Sequence, residues 1–284
     1  MIILWAERYA RQAHNLKVVG SNPTPATKVK TMNTFAEKLA NAWIKKDLID
    51  VKSEDIPKNR KDSHLIQEQF HKVLKKKTVG WKIGMVTKKL QDGAKVDGPM
   101  IGKIIDETVL MNPVKIQYSK VPHCILECEF ALKFLEDTKI VPGVENKKNN
   151  YEIFISLELV STRIKPDSKK NLNSQELMFL NVADNGGAGA IVVGDKIKNL
   201  DNVNLNSIEV KVDLNGKITS AWEKRAHPTE AIKCIINEFK DNPVTFKKGD
   251  WFMTGSVIQP MKINKGDKIK VDFKTLGKIN LDFI

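Results

Sequence analysis

The sequence predicts an α+β fold, with helices at the front and a β-rich core behind them. Apolar residues repeat at helical spacing before Gly80. After Gly80, short β-rich runs broken by Gly, Pro and Asn take over, interrupted by one clear helix. Helices first and many strands later is an α+β pattern.

Residues 1–31 differ in texture from the rest. They hold Arg8, Arg11, Lys17, Lys28 and Lys30 against one acid, Glu7, and then a turn-rich Gly-Ser-Asn-Pro-Thr-Pro. The segment resembles peptides made when a gene start is set inside a neighbouring tRNA gene. The expectation is a disordered leader, with Met32 as the true start; an Arg-rich transit peptide is the competing idea. Residues 32–78 form the helical region. Phe35, Leu39, Ala42, Trp43 and Ile49 trace one helical face. A second helix is expected from Ser63, read as its N-cap, to Lys76, with Leu65, Ile66, Phe70, Val73 and Leu74 apolar.

Residues 79–284 form the β-rich region. Strands are expected at Trp81–Val86, Ile101–Ile105, Ile125–Leu135, Tyr151–Ile164, Ala190–Val193, Ile208–Leu214, Trp251–Thr254, Lys268–Phe273 and Lys278–Phe283. The interrupting helix opens at Pro228, and Ala231, Ile232, Ile235, Ile236 and Phe239 form its apolar stripe. Lys165–Asn173 is the most polar stretch and reads as a loop.

Composition excludes several classes. The chain has 284 residues, 41 % of them hydrophobic, enough for a sizeable core. No run approaches the ~20 apolar residues of a membrane span. Cys124, Cys128 and Cys234 form no Cys-x-x-Cys motif, so a reducing cytoplasm is the simplest location. A net charge of +13 raises the question of nucleic acid. The lysines are spread along the whole chain, however, and the few aromatics do not alternate with them, so no nucleic-acid partner is expected.

The chemistry-bearing positions begin with Ile125-Leu126-Glu127-Cys128-Glu129-Phe130. In a strand, Glu127 and Glu129 share one face, with Leu126, Cys128 and Phe130 on the other. Parallel carboxylates repel unless a cation or a proton intervenes. A surface strand with two solvated acids has the same spacing. Glu158 lies in Ile153–Val160, a run too apolar for an exposed strand, so its carboxylate needs a partner. That partner is either a cation shared with Glu127 and Glu129, or Arg163 or a lysine. An all-oxygen site would select Mg2+ or Mn2+.

Lys82, between Gly80 and Gly84, orients a substrate carboxylate, transfers a proton, or points to solvent. Asp184-Asn185-Gly186-Gly187 lets the backbone approach a neighbour closely, but lacks the spacing of a phosphate loop. His123 is a candidate to support a metal shell, or a structural histidine. Thr254-Gly255-Ser256 is a weak motif by itself. The chain has neither HExxH nor Gly-x-Ser-x-Gly.

In order and spacing, these pieces resemble the family of 2-keto-4-pentenoate hydratase, 2-oxohepta-3-ene-1,7-dioate hydratase and 4-oxalocrotonate decarboxylase, within the fumarylacetoacetate hydrolase superfamily. Lys82-Ile83-Gly84 is similar to the family's Lys-Ile-Gly strand, and Val96–Gly102 to the loop after it. Glu127-Cys128-Glu129 is similar to its Glu-x-Glu metal pair. Glu158 through Ile164 resembles the strand that supplies the third ligand. Val182–Asn185, Ala226-His227-Pro228 and the stretch from Met253 to Gly277 match further signatures. Two positions depart: Met100 stands where many hydratases carry an acid, as in the decarboxylase branch, and Gly187 where the family often has Ser.

The resemblance implies a mixed-sheet roll in residues 79–284 and a homo-oligomer. It implies a hydratase adding water to a 2-hydroxy-2,4-dienoate or 2-oxo-enoate, with decarboxylation or a weakened 2-oxo acid binder as alternatives. Glu127, Glu129 and Glu158 would be the metal ligands. Lys82 would be catalytic and substrate-binding, and Arg163, Asp184, Asn185, Thr254 and Ser256 would bind substrate.

Overall fold

A computed structural model describes residues 25–198, 203–205, 208–220 and 227–284. Five α-helices lie among them: α1 (Pro25–Lys45), α2 (Arg60–Leu74), α3 (Lys88–Ala94), α4 (Ser174–Ala183) and α5 (Pro228–Glu238). Most of the expected leader, like Ala226, falls outside the described residues. The part that is described, from Pro25 to Thr31, is helical and continues into the predicted first helix. Proline suits the first turn of a helix, and no breaker follows it before Lys45.

In α1, Phe35, Leu39, Ala42 and Trp43 are buried as the spacing predicts. Phe35, Leu39 and Trp43 pack with Ile66 and Phe70 of α2, with Leu180 and Ala183 of α4, and with Ile105 and Ile164. The helix α2 starts three residues before the expected Ser63, because Asn59 is the N-cap and accepts from the Asp62 amide. Ser63 is buried inside the helix and donates its hydroxyl to the Asn59 carbonyl at 3.1 Å. Gln67 ties α2 to the site, donating to the carbonyls of Ile101 (2.9 Å) and Val182 (2.8 Å).

The strands run β1 (Thr78–Gly84), β2 (Met100–Ile105), β3 (Val109–Met111), β4 (Val114–Ile116), β5 (Ile125–Phe134), β6 (Thr138–Lys139) and β7 (Tyr151–Val160). They continue as β8 (Ala188–Lys196), β9 (Lys211–Leu214), β10 (Lys217–Ser220), β11 (Thr245–Phe246), β12 (Trp251–Met253), β13 (Met261–Lys262), β14 (Lys268–Asp272) and β15 (Lys278–Phe283). A mixed eight-stranded sheet has the order β2-β1-β12-β5-β7-β8-β3, with β13 added beside β5. A five-stranded sheet runs β10-β9-β14-β15-β4, and β6 and β11 form a ribbon.

The two larger sheets share the main core. Leu126, Cys128 and Phe130 of β5 and Leu157 and Leu159 of β7 meet Ile269, Val271, Ile279 and Leu281 of the second sheet. The opposite face of the large sheet carries a smaller apolar group, with Ala131, Ile191, Val193, Trp251 and Met253. Glu127 and Glu129 alternate with the core residues and therefore belong to this second face. The architecture is the α+β arrangement expected. Two helices were not foreseen from apolar periodicity: the short α3 buries no residue, and α4 is apolar nearly all round, with Met178, Phe179, Leu180, Val182 and Ala183 buried, so it shows no single stripe.

Candidate active site

The site is built on two adjacent strands. Antiparallel pairing of β5 with β7 sets Glu127 opposite Glu158 and Glu129 opposite Ser156. Like charges directly opposite one another destabilise a sheet. Here the cost is raised by burial, since Glu129 is 0 % and Glu158 2 % exposed, while Glu127 is half-buried. One carboxylate oxygen from each of the three lies within 4.8 Å of the others.

Their protein partners do not complete this cluster. Glu129 Oε2 accepts from the Gly255 amide at 2.9 Å, while its Oε1 is buried without a hydrogen-bond partner. Glu158 Oε1 lies 3.2 Å from Lys82 Nζ, close enough for an ion pair, but the angles do not make a hydrogen bond. Burial, then the neighbouring Glu158 and Glu127, push the Glu129 carboxyl well above the usual range. Burial pushes Glu158 up to about 7, with Lys82 pulling the other way. Three inward carboxylates, with two oxygens that accept no hydrogen bond and one cationic neighbour, fit a divalent cation. A cation would reverse the unfavourable electrostatics, and oxygen donors suit Mg2+ or Mn2+.

Lys82 is 1 % exposed, so it does not point to solvent. It sits on β1, paired in parallel with Met253 and antiparallel with Gly102. Its stem passes Gly186, where an added Cβ would come within 2.8 Å of Lys82 Cε. Gly186 has φ +61° as well, so both space and backbone call for glycine there. Asn185 fixes this turn against β2. It accepts from the Lys103 amide (2.7 Å) and donates to the Lys103 carbonyl (2.9 Å). His71 Nε2 lies 2.9 Å from the same Asn185 oxygen. Burial lowers the His71 imidazole to about 4, so it is neutral and donates through Nε2.

Other candidate residues have polar atoms turned to the scaffold. Arg163 Nε donates to Asp184 Oδ1 at 2.6 Å, Nη1 to the Ala188 carbonyl at 3.0 Å, and Nη2 to the Asp184 carbonyl. Asp184 Oδ2 also accepts from the Thr162 hydroxyl (2.8 Å) and the Arg163 amide (3.0 Å). This pair is a structural knot, placed to hold the 184–187 turn rather than to reach a ligand. The Thr254 hydroxyl is bound to the Phe130 carbonyl at 2.9 Å, and the Ser256 hydroxyl to the Ile258 carbonyl at 2.9 Å. What the Thr254–Ser256 turn contributes to the carboxylates is the Gly255 amide, at φ +90°, which residue-type reasoning overlooked.

His123 is exposed in a left-handed turn at φ +54° and has no hydrogen bond among the described residues, so it does not buttress a carboxylate. Cys124 and Cys128 are core residues, and burial pushes the Cys124 thiol up to about 12. Met100 is half-buried and packs against the main core. An added Cβ at Gly187 would lie 3.0 Å from the Val160 side chain.

No family model matches the chain. Among curated proteins, it is 22 % identical to a 4-oxalocrotonate decarboxylase of Pseudomonas putida over 257 residues, covering 88 % of this chain and 96 % of that protein. It is 23 % identical to a 2-oxo-hept-4-ene-1,7-dioate hydratase of Escherichia coli over 267 residues, covering 89 % and 98 %. Among solved structures, 4-oxalocrotonate decarboxylase from Pseudomonas putida G7 superposes with a TM-score of 0.77 at 20 % identity, covering 90 % of this chain and 98 % of that one. That enzyme has been solved with calcium and acetate, and with magnesium and adipate. The chain is thus a relative of these decarboxylases and hydratases, built on the fold of 4-oxalocrotonate decarboxylase.

Proposed function

We propose that the protein is a metal-dependent lyase that adds water to a 2-hydroxy-2,4-dienoate or 2-oxo-enoate of the meta-cleavage type. The observation that carries this reading is the largely buried three-carboxylate cluster, in which Glu129 Oε1 and Glu158 Oε1 accept no hydrogen bond, beside a buried lysine. Glu127, Glu129 and Glu158 hold a divalent cation, Mg2+ or Mn2+. When bound, the cation supplies Lewis acidity toward the carboxylate and 2-oxo group of the substrate.

The chain's own residues do the rest. The Gly255 amide fixes one Glu129 oxygen and leaves the other facing the cluster. Lys82, held between β2 and β12 with Gly186 against its stem, presents its ammonium at the carboxylates. There it orients an anionic substrate or moves a proton to and from its carbon chain. Burial of the cluster excludes bulk water, which strengthens each electrostatic contact.

Decarboxylation is the second reading, and Met100 favours it. An apolar, half-buried side chain opens β2 where a hydratase would keep an acid to handle water. The three free cysteines support a reducing cytoplasm, and the family resemblance supports a homo-oligomer. No helix among the described residues is long and apolar enough to cross a membrane.

The test is an assay of purified protein with Mg2+ or Mn2+ against 2-hydroxypenta-2,4-dienoate and oxalocrotonate, following the dienoate absorbance. Metal-stimulated loss that stops on chelation is the expected result, and carbon dioxide release tells the second reaction from the first. No metal-stimulated change with any chain length would overturn the assignment.

A further inference from the structure

Lys82 reaches to within 3.2 Å of Glu158 on a flexible four-carbon stem, so the packing around that stem decides where the ammonium stands. Two neighbours wall the stem in: Gly102, its register partner on β2, and the Asn185–Gly186 turn. The turn presses on both strands. A Cβ at Gly102 would strike the Asn185 carbonyl oxygen. A Cβ at Gly186 would come within 2.8 Å of the Ile101 carbonyl oxygen and of Lys82 Cε. Any displacement of the turn therefore changes the space open to the lysine.

That turn needs outside support. Asn185 has φ +53° and Gly186 φ +61°, and a left-handed residue other than glycine persists only where its surroundings maintain it. The Asn185 side chain does this through three hydrogen bonds. Its Oδ1 accepts from the Lys103 amide and from His71 Nε2, which fills both lone pairs, and its Nδ2 donates to the Lys103 carbonyl. The Lys103 bonds join the turn to β2, and the His71 bond joins it to α2.

His71 follows Gln67 by one helical turn, and Gln67 donates to the Ile101 and Val182 carbonyls. One face of α2 thus grips β2 and the segment leading into the turn at successive levels. For packing alone, an imidazole is an unfavourable choice at 71. Burial keeps it neutral, and its Nδ1 is buried with no hydrogen-bond partner, a state that costs free energy and calls for an explanation. An apolar side chain would avoid that cost but would lose the Nε2–H that fixes Asn185.

We propose that His71 is a positioning residue: through Asn185 and Gly186 it fixes where Lys82 presents its ammonium to the carboxylate cluster. Its effect on turnover rests on the proposed function, whereas its hold on Lys82 does not.

Crystal structures and kinetics of full-length variants test the two parts separately. His71→Leu and His71→Asn both withdraw the donor, the second because its amide is one carbon too short to reach Asn185. His71→Gln keeps a donor where Nε2 stands. Asn59→Ala removes the N-cap at the far end of the same helix and lowers stability alone. In the two donor-less variants, Lys82 Nζ is expected to shift by about 1 Å or more, and kcat with Mg2+ and 2-hydroxypenta-2,4-dienoate to fall on the order of 10–100-fold. Mg2+ binding read by calorimetry should keep its stoichiometry and stay within about 3-fold of wild type, because the carboxylates are untouched. His71→Gln should return Lys82 to its place and kcat to within about 3-fold of wild type. Asn59→Ala should lower the denaturant midpoint and leave kcat unchanged. Where His71→Leu does not fold, His71→Asn supplies the same readings. Lys82 in its wild-type place in a donor-less variant, or an equal loss of kcat in His71→Gln or Asn59→Ala, overturns the inference. A wild type that turns over no dienoate overturns the proposed function, and the place of Lys82 in the variants still decides the hold of His71.

Discussion

Two buried ionic clusters lie a few residues apart on β7 and beyond its end, and they have opposite character. In the Arg163–Asp184 knot, both Asp184 oxygens and its carbonyl are used, and the guanidinium spends its donors on the same residue and on Ala188. In the Glu127, Glu129 and Glu158 cluster, three acids face one lysine and two oxygens accept no hydrogen bond. A buried charge with complete partners is scaffold, and one left incomplete is where a ligand belongs. Charge and burial alone do not separate the two, because Glu129 and Glu158 are as deeply buried as Arg163 and Asp184. The inventory of partners does.

The largest effect is expected from breaking the complete cluster. Asp184→Ala leaves the Arg163 cation buried without its acid, and should cost about 3–5 kcal/mol of stability. The denaturant midpoint would fall, and adding Mg2+ should recover little of it. A loss under about 1 kcal/mol would mean that the knot is not structural, since a buried broken pair costs more.

Next comes the incomplete cluster. Glu129→Gln should lower metal-dependent turnover by on the order of 10²–10³-fold, a barrier change of several kcal/mol. The same variant should leave the metal-free protein as stable as wild type or more so, because it removes a charge that burial and two neighbouring acids oppose. Destabilisation comparable to that of Asp184→Ala would erase the difference between the two clusters.

A smaller effect follows from pH. The folded pKa of Glu158 is raised from 4.5 to about 7, and that of Glu129 lies well above the usual range. The folded state therefore holds protons that the unfolded chain releases. Stability present below about pH 4.5 should be lost as pH rises through about 7, by a few kcal/mol in metal-free protein. Thermal melts with and without Mg2+ check this, and the metal should flatten the decline. A metal-free protein that gains stability across that window would contradict the account.

The smallest effect sharpens the comparison from within the knot. Thr162→Ala removes one of the hydrogen bonds to Asp184 but keeps both from Arg163 to its carboxylate. About 1 kcal/mol is the expected cost, read from the denaturant midpoint.

Much of the fold was legible because it is written in short-range periodicity. The stripe of α5 and the alternation along β5 both depend only on neighbours a few residues away. Helix α4 was missed although its start is marked: Asn173 caps the Glu176 amide and Glu176 returns to the Asn173 amide. That signal begins at the end of the stretch read as a polar loop, and a helix buried on nearly every side shows no helical stripe. Asn59 was passed over for Ser63 because both are good caps and only the packed helix shows which one starts it.

The candidate site divides in the same way. That Glu127 and Glu129 share a face follows from the two-residue period of a strand, and that Glu158 needs a partner follows from its apolar surroundings. The sequence alone determined those statements, because each concerns the covalent neighbours of one residue. Only the tertiary structure decided that Glu158 pairs across from Glu127, that Arg163 turns to Asp184, and that Gly255 donates the amide that fixes Glu129. Register and hydrogen-bond choice between distant segments are set by how whole faces pack, and no local pattern carries that information.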